Sequence, residues 1–183
     1  MGEQPGGQGH NLLSGAASGF AGRRHRARFG FRRPSPGVTP IRKSKPGPSL
    51  RCSDAPPDGL LRGIEEFNRG EFFEQHETLE AIWIKEPDPV RYLYQGILQV
   101  GVGFYHWRRG NWRGAVAKLR QGLEKLESYR PSCMTIDVER LITETTSLKQ
   151  ELERRGAADL LPFPAAGLPQ VHRVRPAEKL AGR

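Results

Sequence analysis

The chain has 183 residues, two cysteines and a formal net charge of +9, which fits one domain of ordinary size with appended segments. The charge is uneven, because residues 1–52 hold ten of the 29 Lys and Arg residues and Glu3 as their sole acid. From Ser53 onward there are 19 basic and 19 acidic residues. A fold that binds nucleic acid keeps a basic surface, so this balance argues against a nucleic-acid partner.

The first 52 residues are rich in Gly, Pro, Ser and Arg and lack hydrophobic periodicity. This composition resembles an organelle transit peptide, and residues 49–53 resemble a chloroplast processing site. We therefore predict a disordered leader over 1–52, a helical bundle over 58–155 and an extended tail over 156–183. The predicted location is the chloroplast stroma, with the mitochondrion as the alternative. A basic tail that stays attached to the mature protein is the other interpretation of the leader.

Cleavage near Cys52 would leave Cys133 as the single cysteine of the mature chain. One cysteine cannot form an intramolecular disulfide, which agrees with a reducing stroma. The residues around Cys133 contain no base, so we expect an ordinary loop thiol rather than a nucleophile.

Two helices are predicted before residue 86. The first is capped by Asp58 and ends at Gly70, a residue suited to the left-handed conformation. The second runs from Glu71 to about Lys85. At helical spacing its inward face comprises Phe72, Phe73, His76, Leu79, Glu80 and Trp83.

The stretch from Tyr92 to Trp107 is apolar on nearly every side and has no charged residue. It is shorter than the roughly 20 residues that span a membrane, and it carries glutamines that are costly in hydrocarbon. We predict that it is the central helix of a soluble bundle and not a transmembrane segment. One arc of this helix is polar and has a gap at a glycine: Tyr92, Gln95, Gln99, Gly103 and His106.

Two more helices follow. Asn111 is placed to cap a fourth helix from Trp112 to about Tyr129, with an outward face of Arg113, Lys118, Gln121 and Lys125. A fifth helix begins near Thr135 or Asp137, and its narrow apolar seam over 138–152 could lie on the bundle or pair with a second copy in a homo-oligomer. Residues 160–164 predict an extended apolar strap. The fold class is all-α, a compact antiparallel bundle of about five helices.

A weak internal repeat supports this arrangement. Arg69-Gly70 recurs as Arg109-Gly110 forty residues later, and the same shift superposes Phe72 on Trp112. Two helical hairpins of this period are too few for a solenoid. They suggest a duplicated hairpin closed into a bundle.

His76, Glu77 and Glu80 are the residues that could carry chemistry. A helix places His76 and Glu80 on one face, where both could bind a divalent metal as the cofactor. Glu77 lies to the side and could act as a general base. The zinc-protease signature fails, because it requires a second histidine at position 80. The alternative is a metal-free network in which these side chains hydrogen-bond Gln95 and Gln99.

Aromatic residues and arginines alternate around the turn that follows the central helix: Tyr105, His106, Trp107, Arg108, Arg109, Trp112 and Arg113. Such mixtures can stack on bases or bind phosphates. More often the aromatic members belong to the core, and the neutral composition favours that interpretation here.

The segment Phe67 to Trp83, with residues 95–99 and 109–115, resembles the domain-of-unknown-function family numbered 309. The resemblance covers roughly Leu60 to Leu126 and implies a small all-α bundle found in bacteria, cyanobacteria and plastid-bearing organisms. It implies no activity, ligand or cofactor. Gln75 departs from the family pattern, in which alanine is common, and we expect it on an outer or flanking face.

We interpret the chain as a binding or assembly module with a protein partner. Its binding surface would be either the polar groove near His76, Glu80, Gln95, Gln99 and His106 or the seam of the fifth helix. The alternative is a metal-dependent hydrolase with His76 and Glu80 as ligands. The sequence leaves open whether the protein is an enzyme.

Overall fold

The computed structural model describes residues 47–164 and 166–174. Within them lie five α-helices and one two-stranded hairpin, which confirms the all-α prediction. Residues 1–46 of the leader predicted over 1–52, residue 165 and the basic end at 175–183 lie outside the described residues. The helices are α1 (Asp58–Asn68), α2 (Phe72–Lys85), α3 (Arg91–Arg108), α4 (Trp112–Leu126) and α5 (Val138–Arg155), and the strands are β1 (Ser132–Cys133) and β2 (Ile136–Asp137).

Helices α1 and α2 form one hairpin and α3 and α4 form a second, and the same kind of turn connects the two helices of each hairpin. Gly70 and Gly110 have φ values of 75° and 71°, and each donates its amide to the carbonyl of the residue three positions earlier, at 2.9 and 2.8 Å. This left-handed ending closes a helix at a residue without a Cβ. The repeated Arg-Gly pair in the sequence thus produces the same turn twice. Asp58 does not cap α1, because Pro57 holds that position without a side-chain bond.

Helix α3 is the centre of the bundle, as its composition predicts, and most of its residues are buried. Its glycines let α4 approach closely. A Cβ on Gly103 would lie 2.7 Å from the Leu119 side chain, and a Cβ on Gly122 of α4 would lie 2.9 Å from the carbonyl oxygen of Gly96. The propensity that glycine loses in a helix is therefore offset by direct contact between two helix backbones.

Helix α5 packs on the bundle with its apolar seam turned inward. Asp137 caps it by accepting the amide of Arg140 at 3.0 Å. Val138, Leu141, Thr145 and Leu152 are buried within the chain. Of the two alternatives for the seam, the structure shows packing on the bundle. The expectation that the 138–152 seam is an exposed surface for a partner or a second copy is wrong, because these side chains are already covered.

The residues after α5 form the strap that the sequence predicts. The indole Nε1 of Trp107 donates to the carbonyl of Leu161 at 2.7 Å. Asn68 holds the far end through two hydrogen bonds with the backbone of Val171, at 3.0 and 2.8 Å. Beyond that point Arg173 forms a bridge with Ile136 beside the hairpin.

The two cysteines form a disulfide, so the prediction of a lone Cys133 thiol is wrong. Cys52 lies in a short 3₁₀ helix, residues 50–53, whose start is capped by Ser49. Further bonds fix this segment: the carbonyl of Cys52 accepts the amide of Met134 at 2.7 Å, and Arg51 pairs with Glu86 at 2.6 Å. Residues 49–53, which resemble a processing site, therefore belong to the folded part of the protein.

Among the described residues, no helix is both long enough and apolar enough to cross a membrane.

Candidate functional site

The polar arc of α3 faces α4. Gln99 is 6% exposed, and its side-chain amide donates to Oε1 of Gln121 at 3.5 Å. His106 is half-buried, and its Nδ1 lies 3.1 Å from Nδ2 of Asn111. Gln95 is half-buried on the same arc. The gap at Gly103 is filled by Leu119, so it serves packing and does not open a cavity.

Helix α4 adds three polar residues that the sequence pattern assigns to its outer face. Lys118, Gln121 and Lys125 are half-buried. Lys118 Nζ donates to Oε1 of Gln121 at 3.3 Å, and Lys125 Nζ donates to the backbone oxygen of Gln121 at 3.4 Å. Long side chains can cover apolar surface with their methylene groups while the charged end stays polar. Their spacing of three, four and seven residues, which places them on one side of α4, was the signal that could have identified them.

Helix α2 buries a different face from the one that the sequence predicts. Gln75, expected on an outer or flanking face, is 0% exposed, whereas Phe73, expected inside, is 38% exposed. The amide of Gln75 donates to the carbonyl of Ile97 at 3.3 Å, and a Cβ on Gly101 would lie 2.3 Å from its Oε1. The missing side chain at Gly101 leaves room for this glutamine between the two helices.

His76 and Glu80 are half-buried rather than enclosed in the core. Glu77 is exposed. His76 is electrostatically coupled to Glu80 on its own helix and to Lys118 of α4. We use the term polar face for the half-buried and buried polar residues that α2, α3 and α4 contribute: His76, Glu80, Gln95, Gln99, His106, Lys118, Gln121 and Lys125.

Burial disfavours positive charge on this face. It is the main cause of a lowered pKa for His76, with Lys118 acting in the same direction and Glu80 and Glu77 opposing it. The pKa of His106 is lowered by burial and by Lys118. The pKa of Lys125 is lowered chiefly by burial, against the effect of Glu124. A group that brought negative charge to this face would favour the protonated forms of all three.

The candidate metal pair does not gain further ligands. Among the described residues, no three His, Cys, Asp or Glu side chains lie close enough together to hold a metal ion. Catalytic zinc sites commonly use three protein ligands, and His76 with Glu80 provides two. The described residues therefore do not fit the metal site that the hydrolase alternative needs.

The tryptophans of the turn after α3 are structural. Trp107 is 3% exposed and bonds the strap. Trp112 Nε1 donates to the carbonyl of Leu152 at 2.8 Å, which ties α4 to α5. These indoles are occupied by the protein's own backbone, as the core interpretation predicts.

Residues 60–117, which run from α1 into α4, match the family model described as Domain of unknown function (DUF309). The resemblance to DUF309 is confirmed. The DUF309 region contains every polar-face residue of α2 and α3, whereas Lys118, Gln121 and Lys125 lie beyond its end. It also contains both left-handed turns, at Gly70 and Gly110.

The chain is similar to the uncharacterized protein YpuF of Bacillus subtilis (strain 168). The two are 29% identical over 101 residues, which is 53% of this chain and 58% of YpuF. The chain therefore spans little more than half the length of this relative. No solved structure matches the chain. These comparisons assign no activity to residues 60–117. The geometry of the polar face is therefore the basis for a functional proposal.

Proposed function

We propose that this protein is a non-catalytic binding module of the plastid whose polar face takes an acidic segment of a partner protein. One observation carries the proposal: Lys118 and Lys125 are held half-buried on one side of α4, and Lys118 lies near the imidazoles of His76 on α2 and His106 on α3. Both ammonium groups donate to uncharged oxygens of Gln121. A carboxylate from a partner would form stronger, charge-assisted hydrogen bonds with them.

The spacing of the two lysines favours a polypeptide over a small anion. Lys118 and Lys125 are seven residues apart on one helix, which corresponds to about 10 Å along its axis. A segment with two acidic side chains can offer one carboxylate to each ammonium group over that length of helix, and Gln99 and His106 lie beside the same surface as neutral polar contacts.

The composition of the leader alone supports the location in the plastid, because the disulfide removes the argument from a lone thiol in a reducing stroma. Processing at the expected point would remove Ser49, which caps a helix, and Cys52, which is disulfide-bonded. We propose that processing occurs before Ser49. Amino-terminal sequencing of the protein from isolated plastids tests this, and a mature chain beginning after Cys52 would contradict it.

Quantitative immunoprecipitation from plastid extract tests the binding function. The variant combines Lys118→Glu with Lys125→Glu. Its control is Arg120→Glu, the same charge reversal at an exposed position of the same helix. We expect the control to retain a partner protein that the double variant loses, with both variants showing the helical circular dichroism of the native chain.

Two outcomes would contradict the proposal. Retention of the same partners by the double variant would exclude the polar face as the binding surface. Equal loss from the Arg120→Glu control would show a general charge effect rather than recognition by the half-buried lysines.

A further inference from the structure

A second site lies where the strap meets the turn between α1 and α2, and its described lining shares no residue with the polar face. It is a cavity of about 500 Å³, which falls within the range of small-molecule pockets. Its lining includes the aromatic rings of Phe67, Phe72 and Phe163 and the guanidinium groups of Arg69 and Arg108. We call this site the strap pocket.

The floor of the strap pocket is aromatic and rigid. Phe67 and Phe72 are 2% and 1% exposed, and their rings meet edge to face at a centroid distance of 5.7 Å. Phe163 of the strap packs edge to face on Phe72 at 6.4 Å. Phe67 and Phe72 are therefore covered by the protein itself, and Phe163, which is half-buried, is the ring of the three that a ligand can contact.

Arg108 brings a positive charge to this surface. Its guanidinium carbon lies 5.4 Å from the ring centre of Phe72 and 6.0 Å from that of Phe163. One nitrogen, Nη1, donates to the carbonyl of Gly70 at 3.0 Å, which fixes the side chain over the rings. A guanidinium carries five N–H donors. Arg69, at the rim, is already bonded to Glu71.

The wall that the strap contributes is fixed at both ends. Trp107 bonds Leu161 on one side of the pocket, and Asn68 bonds Val171 on the other. None of the described residues that line the cavity is acidic. The pocket thus places the half-buried ring of Phe163 beside the guanidinium of Arg108, and no carboxylate of the described lining competes with a ligand for that cation.

We propose that the strap pocket binds a small organic anion with a flat aromatic body, its ring on Phe163 and its acidic group on Arg108. The acidic group is a carboxylate, sulfonate or phosphate, since each offers oxygens to the guanidinium fork. This site is independent of the polar face, so either proposal can fail without the other.

A pair of fluorescent probes tests the proposal on the full chain. 1-Anilinonaphthalene-8-sulfonate has the required aromatic body and an anionic group, and N-phenyl-1-naphthylamine is the same body without the sulfonate. We expect the anionic probe to bind at one site per chain. Arg108→Gln should weaken it by about tenfold, because a charge-assisted hydrogen bond is lost, and should leave the neutral probe nearly unchanged.

Two further variants separate the charge from the rings. Arg108→Lys keeps the positive charge and should restore most of the affinity for the anionic probe. Phe163→Ala should weaken both probes. Arg154→Gln, at an exposed position of α5, is the matched control and should change neither. Thermal unfolding of each variant shows whether its fold is retained.

Several results would overturn the assignment. One is the absence of saturable binding of the anionic probe to the native chain. Another is equal affinity of that probe for the native chain and for a folded Arg108→Gln variant. A third is unchanged binding of both probes by Phe163→Ala, which would place them elsewhere on the protein.

Discussion

Removing the disulfide should cost more stability than any single contact in the bundle. Cys52 and Cys133 are 81 residues apart, so the bond closes a long loop in the unfolded chain. In the loop-entropy account, a cross-link of that length stabilises the folded state by about 4.5 kcal/mol. The perturbation is the double substitution Cys52→Ala with Cys133→Ala. Alanine suits the buried position 133 because it leaves no unpaired hydroxyl there.

Urea unfolding at neutral pH measures the effect, with and without dithiothreitol. At an m-value of about 2 kcal/mol per molar urea, the double variant should unfold at a urea concentration about 2 M lower than the oxidised native chain. Dithiothreitol should shift the native chain by a similar amount and leave the variant unchanged. The reasoning would be refuted if dithiothreitol left the urea midpoint of the native chain unchanged. It would also be refuted if the oxidised native chain and the double variant had the same urea midpoint.

Three further outcomes are expected. Gly122→Ala should lower the free energy of unfolding by about 1–3 kcal/mol in urea titration, because its methyl group meets backbone atoms of α3, whereas exposed Glu124→Ala should change it by less than about 0.5 kcal/mol. Gln75→Glu should cost more than about 2 kcal/mol by burying a carboxylate, while Gln75→Met should cost less than about 1.5 kcal/mol; equal melting temperatures would contradict this. Burial lowers the pKa of His76 in the folded state, so its contribution to stability is complete above its unfolded pKa of about 6.5 and is lost as pH falls through the folded-state pKa. His76→Gln should therefore flatten the decline of melting temperature at acid pH in a series of thermal melts. Parallel plots of melting temperature against pH for the native chain and the variant would refute the assignment.

The helices were predictable because their signals are local. Gly70 and Gly110 end helices through backbone freedom, Asn111 and Asp137 cap helices through their own side chains, and the uncharged stretch of α3 requires burial on every side. Each signal acts within a few residues, so no knowledge of the neighbouring helices is needed.

The orientation of α2 was not predictable in this way. Gln75 and Phe73 exchange the roles that composition assigns to them, because Gly101 on the facing helix leaves a space that accepts the glutamine. The complementarity of two helices that are distant in sequence decides which face is buried. Periodicity within α2 alone does not contain that information.

The candidate site was predictable in part. The residues that the sequence singled out lie on the helices that form the polar face: His76, Glu80, Gln95, Gln99 and His106. The sequence placed Lys118 outward, because a pattern of charges does not show how far a lysine stem lies across a neighbouring helix.

The disulfide was missed for a different reason. We expected cleavage near Cys52 and therefore expected no disulfide, whereas the segment that contains Cys52 is part of the fold. The contact between residues 52 and 133 depends on the path of the whole chain, and no local sequence pattern indicates it.

The affinity of the purified partner for the polar face tests the central claim most directly. Isothermal titration of the native chain, Lys118→Glu and Arg120→Glu with that partner gives three dissociation constants under one salt condition. We expect Lys118→Glu to weaken binding by about tenfold or more and Arg120→Glu to leave it nearly unchanged. Equal dissociation constants for the native chain and Lys118→Glu would contradict the account.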